Sequence, residues 1–168
     1  IPSDVNDQKD LLVAKTDELA GNTNTAVALS FNHALTAIRF VCGDDMQVGT
    51  VKSVSLKNVY SKGTYNMGTQ TWSDLDTPAT FSQTLDKVTT GTPDEALTSE
   101  AQTFMMLPQR FPEGAQIEVL FTDDTHTDHT LTADIKGSEW KWRKREVKNY
   151  KRKGNIKREV LLYWHCLL

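Results

Sequence analysis

Apolar residues recur at every second position through most of this chain, and that period decides what it can fold into. Val27, Leu29 and Phe31 alternate, and so do Ile38 and Phe40. Val51, Val54, Leu56 and Val59 repeat the pattern with one phase slip between Val51 and Val54. Ile117, Val119 and Phe121 alternate cleanly, and Leu131, Ala133 and Ile135 return on one face. A two-residue period lines one side of a strand, whereas a buried helix face needs a period of 3.6. A single slip inside such a run marks a β-bulge. Turn signals divide the runs at Gly43-Asp44-Asp45, at Ser61-Lys62-Gly63 and through residues 122–128, which connect a hairpin. No amphipathic helix precedes residue 138. The expected fold is all-β, an antiparallel β-sandwich with Greek-key-like connections, incomplete at both ends.

Within that frame, residues 27–41 read as one strand, or as two broken near Ala34. Leu29, Phe31, Ile38 and Phe40 are expected to be buried. Residues 73–100, rich in Thr, Ser, Asp, Pro and Gly, read as a long loop holding one short strand at 79–85. Residues 103–109 form a compact apolar run ended by Pro108.

A chain of 168 residues, 38% hydrophobic and 24% charged, is long enough for one domain with a core. It has no apolar run near the roughly 20 residues of a membrane span. It opens Ile1-Pro2-Ser3-Asp4 with no leader pattern, so a leader has been removed, the protein is cytosolic, or this is an internal fragment. Cys42 and Cys166 are too few for a disulfide framework. The net charge of −3 hides an asymmetry. Residues 1–135 hold 8 Lys/Arg against 19 Asp/Glu, a balance of −11, and residues 136–168 hold 11 against 3, a balance of +8. The expected division is therefore a domain at 1–139 and a basic tail at 140–168.

Few residues suggest chemistry. His126 and His129 with Asp123, Asp124 and Asp128 have metal-ligand side chains, but they fall on a hairpin turn without calcium-loop spacing, so a solvated turn is expected. His33 reads as a strand histidine at a sheet surface with its ring hydrogen-bonded. Asp44 and Asp45 read as turn residues, and Cys42 as a small buried apolar residue. No nucleophile elbow or phosphate loop is present, and Gly43, Gly49, Gly63 and Gly68 are read as strand terminators. No cofactor, metal or catalytic residue is expected, and the chain is read as not an enzyme. In the tail, basic residues interleave with Trp142 and Tyr150, a composition suited to nucleic acid or an anionic membrane. An acidic β-domain is a poor host for either. Nucleic acid is therefore disfavoured, and the segment reads as non-native or frame-shifted after Trp140.

Several segments carry a resemblance. Asp10-Leu11-Leu12 precedes a strand reading roughly Val-x-Leu-x-Phe-x-His-x-Leu-x-x-Ile-x-Phe, ending at Phe40. Val54-Ser55-Leu56-Lys57-Asn58-Val59 leads to Gly63-Thr64-Tyr65 and Trp72. Met106-Leu107-Pro108-Gln109 and the hairpin at 116–121 and 129–135 come next. Their order resembles the fimbrillin-like family of bacterial surface-fibre subunits and adhesins, over about residues 9–140. Two departures stand out. The chain has only nine residues before Asp10, and Lys141-Trp142-Arg143-Lys144-Arg145 replaces the family's Trp-x-x-Gly-Lys-x-Tyr continuation.

The resemblance implies a transthyretin-like sandwich acting as a structural subunit or accessory adhesin of fimbriae in anaerobic bacteria. It implies a lipoprotein origin and a place at the cell surface, outer membrane or fimbrium. The implied partners are other fimbrial subunits, joined by a donated strand, and surface glycans or proteins. The alternative is a carbohydrate-binding β-sandwich module, with Tyr65 and Trp72 as the ligand-contact aromatics. In the bland reading those two sit in the core or at a strand end.

Overall fold

A computed structural model describes residues 1–21, 26–43 and 46–135 in full and the backbone of 139–140, 148–149 and 162–167. Its strands are β1 (Leu12–Ala14), β2 (Phe31–His33), β3 (Thr36–Cys42), β4 (Gly49–Asn66), β5 (Thr71–Thr89), β6 (Phe104–Met106), β7 (Gln109–Arg110), β8 (Gln116–Asp123), β9 (Asp128–Asp134), β10 (Glu139–Trp140), β11 (Lys148–Asn149) and β12 (Leu162–Leu167). The only helical pieces among the described residues are two 3-10 turns, Val5–Asp7 and Glu100–Gln102. One sheet has the order β5-β4-β8-β9 and the other β11-β12-β3-β6; β1 pairs with β2, and β10 with β7. Every strand pair is antiparallel. The chain crosses between the sheets from β3 to β4, from β5 to β6 and from β6 to β8, as an all-β sandwich with Greek-key-like connections requires.

The core lies between the sheets. Ile38, Phe40 and Cys42 of β3 and Phe104 and Met106 of β6 meet Val51, Val54, Leu56 and Val59 of β4, Phe81 of β5, and Ile117, Val119 and Phe121 of β8. Phe40 and Phe104 pack edge to face, with ring centroids 5.6 Å apart. That geometry brings the electropositive ring edge to the electronegative ring face. The phase slip of β4 is a register shift between Val51 and Ser53, present against both β5 and β8. The extra residue restores the inward row, so Val51, Val54 and Leu56 are all fully buried.

Three expectations are corrected. Of the two readings of 27–41 the broken one holds, with the gap at Ala34 and Leu35 and residues 27–30 in no strand; what fails is the common burial of its apolar rows. Its rows lie on different surfaces: Ile38 and Phe40 are buried, but Leu29 is 53% and Phe31 61% exposed. The odd-numbered row of β2 and the even-numbered row of β3 cannot share one face of one strand, and the break lets the second row turn inward. Second, residues 71–89 form one long strand, not a loop with a short insert. Pairing along β4 overrides the local turn composition, and β5 is an edge strand, where a proline such as Pro78 is tolerated. Third, Ser61-Lys62-Gly63 does not turn the chain. Gly63 lies within β4, and a Cβ there would stand 2.6 Å from Leu75 Cδ2.

Asp44 and Asp45 lie outside the described residues, as does most of the basic tail (141–147 and 150–161).

Candidate functional site

The candidate functional geometry lies in the strand edges. Along β3, Thr36, Ile38, Phe40 and Cys42 point inward, while Ala37, Arg39 and Val41 are half-buried outside. One edge is filled from within the domain. β6 pairs with Thr36, Ala37 and Ile38. Further along, the segment 94–98 takes over. Leu97 N–H donates to Phe40 O at 2.9 Å and Cys42 N–H to Glu95 O at 2.8 Å. Phe40 N–H donates to Thr98 Oγ1 at 2.9 Å. The other edge is covered by β12, from Leu162 opposite Cys42 to Leu167 opposite Ala37. The strand that carries Phe40 thus depends for one full edge on six residues from the end of the chain. An edge of unpaired N–H and C=O groups beside an apolar core accepts any extended strand of suitable register.

The outer edges of β6 and β5 are guarded. Gln8 Oε1 accepts from Met105 N–H at 2.7 Å, capping β6. Asp4 bridges to Ser82 on β5, and the Ile1 ammonium donates to Ser61 O at 2.6 Å. Farther along β5, Asp74, Thr77 and Asp86 have left-handed φ values of 50°, 55° and 45°, which kink its edge. Gln109 fills a gap where the β4–β8 ladder has ended at Lys57: its Oε1 accepts from Tyr60 N–H at 2.8 Å and its Nε2 donates to Tyr60 O at 3.0 Å. A glutamine amide presents one donor and one acceptor, as a backbone neighbour would. The roles of Gln8 and Gln109 were not read from sequence. The only signal for Gln109 was its place after Met106-Leu107-Pro108.

Tyr65 and Trp72 are direct cross-strand partners near the tip of the β4–β5 hairpin, half-buried, with centroids 5.0 Å apart and planes tilted by 59°. Trp72 Nε1–H donates to Ala34 O at 2.7 Å, so the indole fastens the hairpin to the break between β2 and β3. Two tilted rings form no common flat platform for a sugar face. Trp72→Phe is expected to cost about 1 kcal/mol through the lost hydrogen bond, read as a lower urea midpoint at unchanged slope.

His126 and His129 are not brought together as ligands. His126 sits in the turn at φ 61°, whereas His129 Nε2–H donates to Asp123 Oδ2 at 2.8 Å. The buried Asp123 carboxylate also accepts from Thr125 Oγ1–H at 2.6 Å, Thr125 N–H at 2.9 Å and Thr127 N–H at 3.0 Å. The Thr125 hydroxyl first, then His129 and the Thr127 amide, hold its pKa well below the usual carboxylate range. Asp128 accepts from Thr122 Oγ1–H at 2.6 Å. Asp123 is thus the organiser of the β8–β9 turn. No group of three or more potential metal ligands occurs among the described residues. A depressed folded pKa contributes stability above the ordinary aspartate pKa, near 4, that disappears as pH falls through and below it. Asp123→Asn is therefore expected to melt below the parent at pH 7, with the gap closing as both are titrated to pH 2; a constant gap would contradict the assignment.

His33 lies exposed on β2, its Nδ1 paired with Asp10 Oδ2. Cys42 is fully buried, and burial pushes its thiol up. In the β3–β12 register Cys166 stands opposite Ile38, four residues along from Cys42. Four residues of strand span about 13 Å, well past the roughly 7 Å limit between disulfide-bonded Cα atoms.

These features define an antiparallel β-sandwich with strand edges variously capped, kinked or covered. The fimbrillin-like family model matches residues 3–158, and the chain belongs to that family. A search of the curated proteins and of the solved structures finds no significant match.

Proposed function

We propose that this chain is a structural subunit or accessory adhesin of bacterial surface fimbriae, joined to its neighbours by strand complementation along β3. The observation that carries the reading is the dependence of β3, the strand that bears Phe40, on a distant six-residue strand for one whole edge. Family membership supports it. In this reading residues 1–139 form the domain and 140–168 an appended segment whose last strand occupies the acceptor edge. In the fibre a strand from another subunit takes that place, satisfying the same backbone groups and covering the same core. The function is mechanical and uses no cofactor, and its place is the cell surface.

The test is a chain ending at residue 161, mixed with a labelled peptide of residues 162–168. Saturable one-to-one binding by fluorescence anisotropy is expected. It should be lost when the peptide carries proline at Trp164, since proline cannot complete a ladder from a central position. A truncated chain that ignores both peptides rejects the acceptor edge.

A further inference from the structure

A cleft of about 520 Å³ opens where β5 passes the segment 96–102. Small-molecule sites fall in this size range, with an apolar lining and a few placed polar groups. A bulge shapes one wall: two residues of β5, Leu85 and Asp86, stand opposite Lys52 alone, and Asp86 has φ 45°. A bulge re-aims side chains, and here Leu85, Lys87 and Val88 line the cleft. Across it, Ala96 and Leu97 supply aliphatic carbon, and Ser99 and Gln102 bring a hydroxyl and an amide. Gln102 Oε1 already accepts from Ser99 N–H at 3.0 Å, which leaves the amide nitrogen of Gln102 as a donor.

Arg39 of β3 also lines the cleft. Four basic side chains are half-buried among the described residues: Arg39, Lys52, Lys57 and Lys87. Lys52 pairs with Asp86, Lys57 with Glu118 and Lys87 with Glu95. Arg39 makes no ion pair among the described residues, and β12, which runs beside it, contains no Asp or Glu. The charges of Asp86 and Lys87 are thus matched at the cleft wall. One guanidinium is left over, in a molecule whose residues 1–135 carry a balance of −11. A partly desolvated cation without a partner is costly, and the planar guanidinium fork fits a carboxylate through two parallel hydrogen bonds. We infer that the cleft is a ligand site for a small hydroxylated carboxylate of the sugar-acid class. Its single negative charge matches the unpaired guanidinium, whereas a phosphate dianion exceeds it. The aliphatic walls meet the C–H side of the ring, and Ser99 and Gln102 reach its hydroxyls. The site is independent of strand exchange at β3, since every group it uses lies between residues 39 and 102.

The experiment titrates the full chain with glucuronate, glucose and acetate at low salt, followed by amide chemical shifts. Saturable binding of glucuronate is expected, with a Kd on the order of 1 mM or below and shifts concentrated at residues 85–88 and 96–102. Arg39→Met is expected to weaken it about tenfold or more, with an unchanged circular dichroism spectrum. Arg110→Met, at an exposed cation outside the cleft, is expected to leave it unchanged. Failure of glucuronate to saturate overturns the inference, and so does equal weakening by the two variants. Glucose binding as tightly as glucuronate removes the carboxylate, and acetate binding as tightly removes the sugar; either result rejects the assigned class. Should Arg39→Met fail to fold, Ala96→Tyr decides. A ring placed at that exposed position fills the cleft while Arg39 stays, and glucuronate binding that persists would reject the site.

Discussion

Ending the chain at residue 161 is expected to destabilise it by about 3 kcal/mol or more, the lower end of what a six-residue antiparallel ladder of about six bonds is worth at about 0.5–1.5 kcal/mol per bond. For a domain of this size that is a fall in melting temperature of about 10 °C or more. The reasoning rests on pairing. β3 is satisfied on one side by β6 and residues 94–98, and on the other by β12 alone among the described residues. Removing the cover leaves donors and acceptors of a core strand open to water and to other chains. Addition of the peptide of residues 162–168 should recover most of the loss. The opposite outcome is equally clear. A truncated chain that melts with the parent would make residues 140–168 a dispensable tail, separable from the sandwich, and would remove the acceptor edge from β3.

The second large effect concerns two phenylalanines nine residues apart in one alternating run. Phe40→Ala is expected to cost about 3–5 kcal/mol, the range for emptying a fully buried aromatic site, because Phe40 is wholly buried and packs edge to face on Phe104. Phe31→Ala, on an exposed face, is expected to change monomer stability by no more than about 0.5 kcal/mol. Urea titrations of dilute protein, compared at equal slope, measure both. Comparable losses at the two positions would mean that the run is one continuous buried strand and that the break at Ala34 is wrong.

That break also shows how far periodicity carries. Alternation identifies strands, because a two-residue period has no other compact use. It located the bulge near Val51 from one misplaced valine. It does not say which surface a row meets, because Leu29 and Ile38 look alike as sequence. Only the second sheet, packed against Ile38 and Phe40 and absent beneath Leu29, separates them. The long strand at 71–89 was hidden for a similar reason. Its Thr, Ser, Asp and Pro residues favour turns locally, and the ladder supplied by β4 outweighs that preference. Trp72 was visible as an aromatic, but its role as a strut follows from a carbonyl of Ala34 that lies 38 residues away in the chain.

The candidate site divides in the same way. The absence of nucleophile, phosphate-loop and calcium-loop spacings could be read directly from residue order, and so could a family resemblance built on short ordered segments. Edges could not. Whether a strand is central, capped by a glutamine amide or dependent on a distant segment is set by long-range backbone pairing, which leaves no local mark. The sequence by itself determined the all-β class, the bulge, the hairpin at 116–135 and the family. Tertiary structure alone decided which apolar rows are buried, that Asp123 organises the β8–β9 turn, and that β3 takes β12 on its remaining edge. Those outcomes depend on hydrogen bonds and packing between residues far apart in the chain, and local pattern carries no information about which distant partner arrives.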